Sequence, residues 1–142
     1  MIILVLQGPN LDAIGNISAY AGERVTLDKI NSALRKSCRG KDVQLKILQT
    51  AKASKALKFI RRSGKKADGI LFAPMAWSQY EYSLKEALNI VQIPVVEILL
   101  DPPYFASTES SIFSEACVKT ETGHPDTVFT IALKSILDHL SA

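Results

Sequence analysis

Histidine is nearly absent from this chain of 142 residues: only His124 and His139 occur, both in the terminal region. The two cysteines, Cys38 and Cys117, lie far apart and form no CxxC pair. That spacing excludes a redox or metal-ligand motif and leaves reduced structural thiols, as in a cytoplasmic protein. No apolar run approaches the ~20 residues of a membrane span. No basic segment leads into a long apolar region, so a signal peptide is not expected. Cations are missing from two stretches. Between Asn10 and Tyr20 there is only Asp12, and from Glu86 to Val118 there is no Lys, Arg or His. The net charge of +3 is too small to imply nucleic acid by itself. What is present, 47% hydrophobic and 22% charged residues, describes an ordinary globule organised as a single domain over 1–142.

Apolar runs alternate with amphipathic ones. "IILVL" (2–6) is continuously apolar, as a strand buried on both faces must be. "VQLKIL" (43–48), "ADGILFAP" (67–74) and "IPVVEILL" (93–100) predict three more strands, and 116–119 a short fifth. Thr26 can cap a helix with Asp28 in its first turn, and Leu27, Ile30, Leu34 and Cys38 form one stripe. Residues 53–63 form an amphipathic helix that stops at Gly64. Residues 78–91 predict another, and the last helix runs from Asp126. Segments 7–25 and 101–115 read as loops. This alternation implies an α/β fold, a flavodoxin-like doubly wound five-stranded parallel sheet with helices on both faces. Binding groups in such sheets lie beyond the carboxyl ends of the strands, here 7–25, 49–53, 73–80 and 99–115.

Gly8, Pro9 and Asn10 make a sharp turn after the first strand, and Asn suits a left-handed turn position. Glu97 is a lone carboxylate in an apolar strand and needs partners; its expected task is to hold a site residue or a subunit contact. Trp77, Tyr80 and Tyr82 read as core or interface fillers. Residues 52–66 hold seven basic residues and no acidic one. They read as a solvated helix face whose counterpart is the acidic 101–126 stretch of a neighbouring subunit. There Asp101, Glu109, Glu115, Glu121 and Asp126 oppose only Lys119. Nucleic acid is not expected, because no aromatic interleaving accompanies the charge.

"ILVLQGPNL" closely resembles the start of the type II 3-dehydroquinate dehydratases, a hydrophobic strand followed by N-G-P-N-L. Tyr20 with Gly22, "TLDKI", "ADGILFAPMAWSQYEYSLKEAL" and "IPVVEI" match further family segments in order across the first hundred residues. The resemblance implies removal of water from 3-dehydroquinate in the shikimate or quinate pathway, with no cofactor and no metal. It also implies trimers gathered into a dodecamer. Such an elimination needs a base beside the ketone, an oxyanion stabiliser and an acid for the leaving hydroxyl. In the family a loop tyrosine is the base, and a neighbouring arginine favours its phenolate.

By that resemblance the catalytic positions are Tyr20, Asn10 and Glu97, and the substrate-binding positions are Ala73, Met75, Gln79, Glu86, Leu100 and Asp101. The departures are extensive. The family's loop arginine falls near Asn16, and Ala73 stands for an asparagine. Met75 stands for a glycine, Gln79 and Leu99 for histidines, and Asp101 for a serine. Arg24 is the candidate substitute cation, with Lys52 a second. General acid–base groups each contribute roughly 10²–10⁴ in rate. The expectation is therefore a family member weakly active or inactive toward 3-dehydroquinate, with a small-molecule carboxylate as the ligand class. The alternatives are a working dehydratase with rearranged groups and a non-catalytic binding or structural subunit.

Overall fold

The computed structural model describes residues 1–107 and 109–142. The strands are β1 (Ile2–Gln7), β2 (Gln44–Gln49), β3 (Gly69–Ala73), β4 (Val95–Leu100) and β5 (Lys119–Gly123). The helices are α1 (Ile14–Tyr20), α2 (Leu27–Ser37), α3 (Ala53–Ser63), α4 (Tyr82–Val91) and α5 (Val128–Ser141). All strand pairs are parallel, in the order β2-β1-β3-β4-β5, so the doubly wound expectation holds. Alternate residues of β1 feed two cores. Ile3 and Val5 join α2 and α5 through Ile30, Leu34 and Leu133, while Leu4 and Leu6 join α3 and α4 through Ile60 and Leu88. The Thr26 hydroxyl accepts from Lys29 N–H at 3.2 Å, capping α2 as its sequence predicts.

Three expectations are corrected. The stretch 7–25 is not a continuous loop. A short 3₁₀ turn, Leu11–Ala13, leads into α1, which buries Ile14 and Ser18. The Ser18 hydroxyl donates to Val25 O at 2.9 Å and accepts from Val25 N–H at 3.1 Å, tying the helix to the chain that follows it. The helix read from 78 starts at Tyr82, because Met75–Gln79 forms a separate 3₁₀ turn carrying the buried Trp77. Tyr80 and Tyr82 are exposed. The fifth strand lies at 119–123 rather than 116–119, since 114–116 is also a 3₁₀ turn and pairing with β4 sets Lys119 opposite Val96.

Candidate functional site

The turn after β1 packs directly on the end of β3, its backbone continuing the parallel ladder by one residue. Gly8 N–H donates to Ala73 O at 2.9 Å, and a Cβ on Gly8 would lie 2.4 Å from Pro74 O. Only glycine permits that approach. Asn10 adopts the left-handed conformation, φ 70°, and its exposed side chain caps nothing. Met75 is also left-handed, φ 53°, and is 7% exposed, in the same apolar cluster as Leu11 and Ile14. A large thioether therefore fills space beside the two turns. Ala73 is buried at the end of β3. The Gln49 amide ties the same turn to β2, donating to Gly8 O at 3.1 Å.

Tyr20 is the last residue of α1 and is 95% exposed. Among the described residues no hydrogen bond joins it to Arg24. Arg24 instead lines a cavity of about 420 Å³ with Lys29, Ile30 and Asp126, and Lys29 Nζ donates to Arg24 O at 3.0 Å. Lys52 is exposed ahead of α3, and Glu86 is exposed on α4. Among the described residues none of Arg24, Lys29 and Lys52 hydrogen-bonds the Tyr20 hydroxyl.

Gln79, Leu100 and Asp101 do come together, lining a pocket of about 180 Å³ with Ser78, Glu109 and Ser111. The Gln79 amide donates to the Ser78 hydroxyl at 2.8 Å. Among the described residues the pocket holds two carboxylates, Asp101 and Glu109, and no Lys, Arg or His. Glu97 lies behind it, fully buried. Its carboxylate accepts from the hydroxyls of Ser111, of Ser114 at 2.7 Å and of Thr120 at 3.0 Å. These hydroxyls supply the partners a buried charge requires. Ser111 both binds Glu97 and lines the pocket, so the carboxylate shapes the wall without reaching the space. Burial, and secondarily the Glu97 charge, push the nearby Cys117 thiol up to about 12, which keeps it protonated and inert.

A cluster at the β4 and β5 ends is not evident in the sequence. Glu23, between α1 and α2, accepts from the Tyr104 hydroxyl and meets His124 Nε2 at 2.9 Å. His124 Nδ1 lies 2.8 Å from an Asp126 carboxylate oxygen, and the Tyr104 ring stands edge-on to the imidazole at 5.3 Å. The Glu23 hydrogen bond, helped by Asp126, raises the His124 pKa above its usual value. The hydrogen bonds from Tyr104 and then His124 lower that of Glu23. Tyr104 is pushed up to about 12, first by its bond to Glu23. A phenol so held donates and does not act as a base. His124 and Asp126 are two residues apart, but Glu23 and Tyr104 are remote, so only tertiary contact assembles the group.

Among the described residues no group of three or more His, Cys, Asp or Glu side chains could hold a metal ion, and no helix is long and apolar enough to cross a membrane. The family model for dehydroquinase class II matches residues 1–137. A 3-dehydroquinate dehydratase of Clostridium botulinum (strain Loch Maree / Type A3) is 29% identical over 141 residues, covering 98% of this chain and 96% of the relative. One of Roseiflexus castenholzii is 34% identical over 104 residues, covering 73% of this chain and 66% of the relative. Among solved structures, the type II dehydroquinase of Butyrivibrio crossotus superposes with a TM-score of 0.84 at 21% identity, covering 100% of this chain and 98% of that one. A 3-dehydroquinate dehydratase-like protein of Bifidobacterium longum gives 0.74 at 19% identity, covering 100% and 99%. These two likenesses concern the fold. With the family model spanning nearly its whole length, the chain belongs to the class II dehydroquinase family.

Proposed function

We propose that this chain is a divergent class II dehydroquinase-family protein that turns over 3-dehydroquinate weakly or not at all. The observation that carries this reading is the pocket lined by three of the six substrate-binding positions, Gln79, Leu100 and Asp101, which presents Asp101 and Glu109 and no cation among the described residues. A carboxylate ligand ~6 Å from each would meet a repulsion of about 0.7 kcal/mol per pair at the dielectric of water, and more in a drier cavity. The exposed Tyr20, with no hydrogen bond to Arg24, supports the same reading from the side of the base. Neither Asn10 nor Glu97 supplies what is missing. Asn10 is a turn residue here, and the Glu97 carboxylate is occupied by three hydroxyls.

The test is direct. Purified protein is mixed with 3-dehydroquinate and the ultraviolet absorbance of the enone product is followed beside a working family enzyme. The expected rate is at least ~10³-fold below that enzyme, from the loss of one or more acid–base groups. A comparable rate would instead establish the second reading, a working dehydratase with rearranged groups, which the full-length similarity to curated dehydratases favours. Binding of shikimate without turnover would mark a non-catalytic binding subunit. The family resemblance further implies a cytoplasmic, trimer-based dodecamer, which sedimentation would reveal.

A further inference from the structure

The seven cations of 52–66 find no acidic partner within their own chain among the described residues. Lys52, Lys55, Lys58, Arg61, Arg62, Lys65 and Lys66 are all exposed, and none forms an ion pair among the described residues. Three of the five acids of the 101–126 stretch pair within their own chain. Glu115 pairs with Lys85, Glu121 with Lys119 at 3.0 Å, and Asp126 with His124 at 2.8 Å. Outside 52–66 the chain carries ten Lys and Arg against fourteen Asp and Glu, a net of −4, so the whole positive excess of +3 sits on this one segment.

An apolar notch adjoins the basic face. Arg61 and Lys65 wall a groove of about 360 Å³ with Leu57, Lys58 and Arg62 on one side. On the other side they rim a second groove of about 280 Å³, floored by Gly64, Ile90, Val91 and Ile93. Gly64 makes that notch: a Cβ there would lie 2.6 Å from Val91 Cγ2, so the ends of α3 and α4 approach only because it has none. Ile90 stands 71% exposed in the notch. From Lys52 to Arg62 the helical part of the basic face runs about 15 Å at helical rise, the reach of roughly four extended residues, with Lys65 and Lys66 continuing it on the turn that follows.

We infer that the outer face of α3, together with the notch at Ile90, docks an acidic segment of another protein that carries one aliphatic anchor. The anchor occupies the notch, and the acidic residues around it lie along Arg61, Lys65, Lys58 and Arg62. Each alternative occupant lacks a feature. Nucleic acid would use the cations but not the aliphatic notch, and the stripe offers no exposed aromatic for bases to stack on. A membrane would need several exposed apolar groups on this face, where Ile90 is exposed but Val91 and Ile93 beside it are half-buried. A second copy of this chain has three of its five acids committed to internal pairs. The inference does not depend on the dehydratase reading.

The test uses fluorescence anisotropy with three labelled probes: a decaglutamate, the same peptide with one central leucine, and a DNA duplex of similar charge. Salt is held at about 50 mM, so that surface electrostatics are only partly screened. The leucine peptide is expected to bind about tenfold more tightly than decaglutamate, the gain from burying part of one aliphatic side chain. Ile90→Asp should erase that difference. Arg61→Glu with Lys65→Glu should weaken both peptides by about tenfold or more, with circular dichroism confirming the fold. No binding, equal affinity for the two peptides, or tighter binding of DNA overturns the inference. So does self-association, seen by sedimentation, that the same substitutions abolish.

Discussion

Replacing Glu97 by glutamine tests whether this carboxylate is a structural post behind the pocket. Glu97 is completely buried, and each of its partners is a hydroxyl: Ser111, Ser114 and Thr120. Two of these belong to the segment after β4, while Thr120 sits directly opposite Glu97 on β5. The substitution turns one oxygen into a donor and removes the charge that strengthens all three bonds. Ser111 already accepts from Phe113 N–H at 3.1 Å, so accepting from the new amide as well would use its second lone pair and leave its own proton without Glu97 as acceptor. Charge-assisted bonds contribute about 1 kcal/mol more than neutral ones, and relief of charge burial offsets part of the loss, so Glu97→Gln should cost about 2 kcal/mol. In a chain of this size that lowers the melting temperature by about 8 °C. Glu97→Ala, which leaves three hydroxyls facing a cavity, should cost about 4 kcal/mol. Calorimetry or urea unfolding measures both. A glutamine variant melting within about 2 °C of the parent would refute the structural assignment, given the size scaling used above.

Three other perturbations follow from the geometry. His124→Ala should change the pH profile of stability. The folded pKa of His124 is raised, so its contribution is fully present below the unfolded value near 6.5 and is lost as pH rises through the higher folded pKa; parent and variant melts measured from pH 5 to 9 should converge at the alkaline end. Divergence that grows with pH would contradict the Glu23–His124 pairing. Gly8→Ala should destabilise by about 2 kcal/mol or more, because its Cβ meets Pro74 backbone oxygen at 2.4 Å and neither turn can retreat without breaking the Gly8–Ala73 hydrogen bond; an unchanged melt would contradict this close approach of the two turns. Asp101→Asn with Glu109→Gln should tighten shikimate binding about tenfold by removing two repulsions, read by calorimetric titration, and no gain would place the ligand elsewhere.

Much of the fold was legible because its signals are local. The continuous apolar run of β1, the stripe of α2 with its Thr26 cap and the halt of α3 at Gly64 each reflect a few neighbouring residues. The strand at 119–123 was misplaced because "KTETG" has little apolar content of its own and is fixed by pairing with β4. The short α1 was hidden for a similar reason: its Ser18 hydroxyl bonds to Val25 beyond the helix, a contact no periodicity announces. At the site, the sequence marked Glu97 as needing partners and Asn10 as a turn residue. It could not show that the partners of Glu97 are three hydroxyls or that Tyr20 projects into solvent.

The sequence by itself determined the alternation of elements, the family signature and the scarcity of positive charge through 86–118, since these are properties of order and composition. Tertiary structure alone decided which charges meet. It joined Glu23 to His124 across 101 positions, gave Glu115 to Lys85, and left the α3 cations facing outward. Charges interact through distance in space, and only the packed sheet converts separation along the chain into that distance.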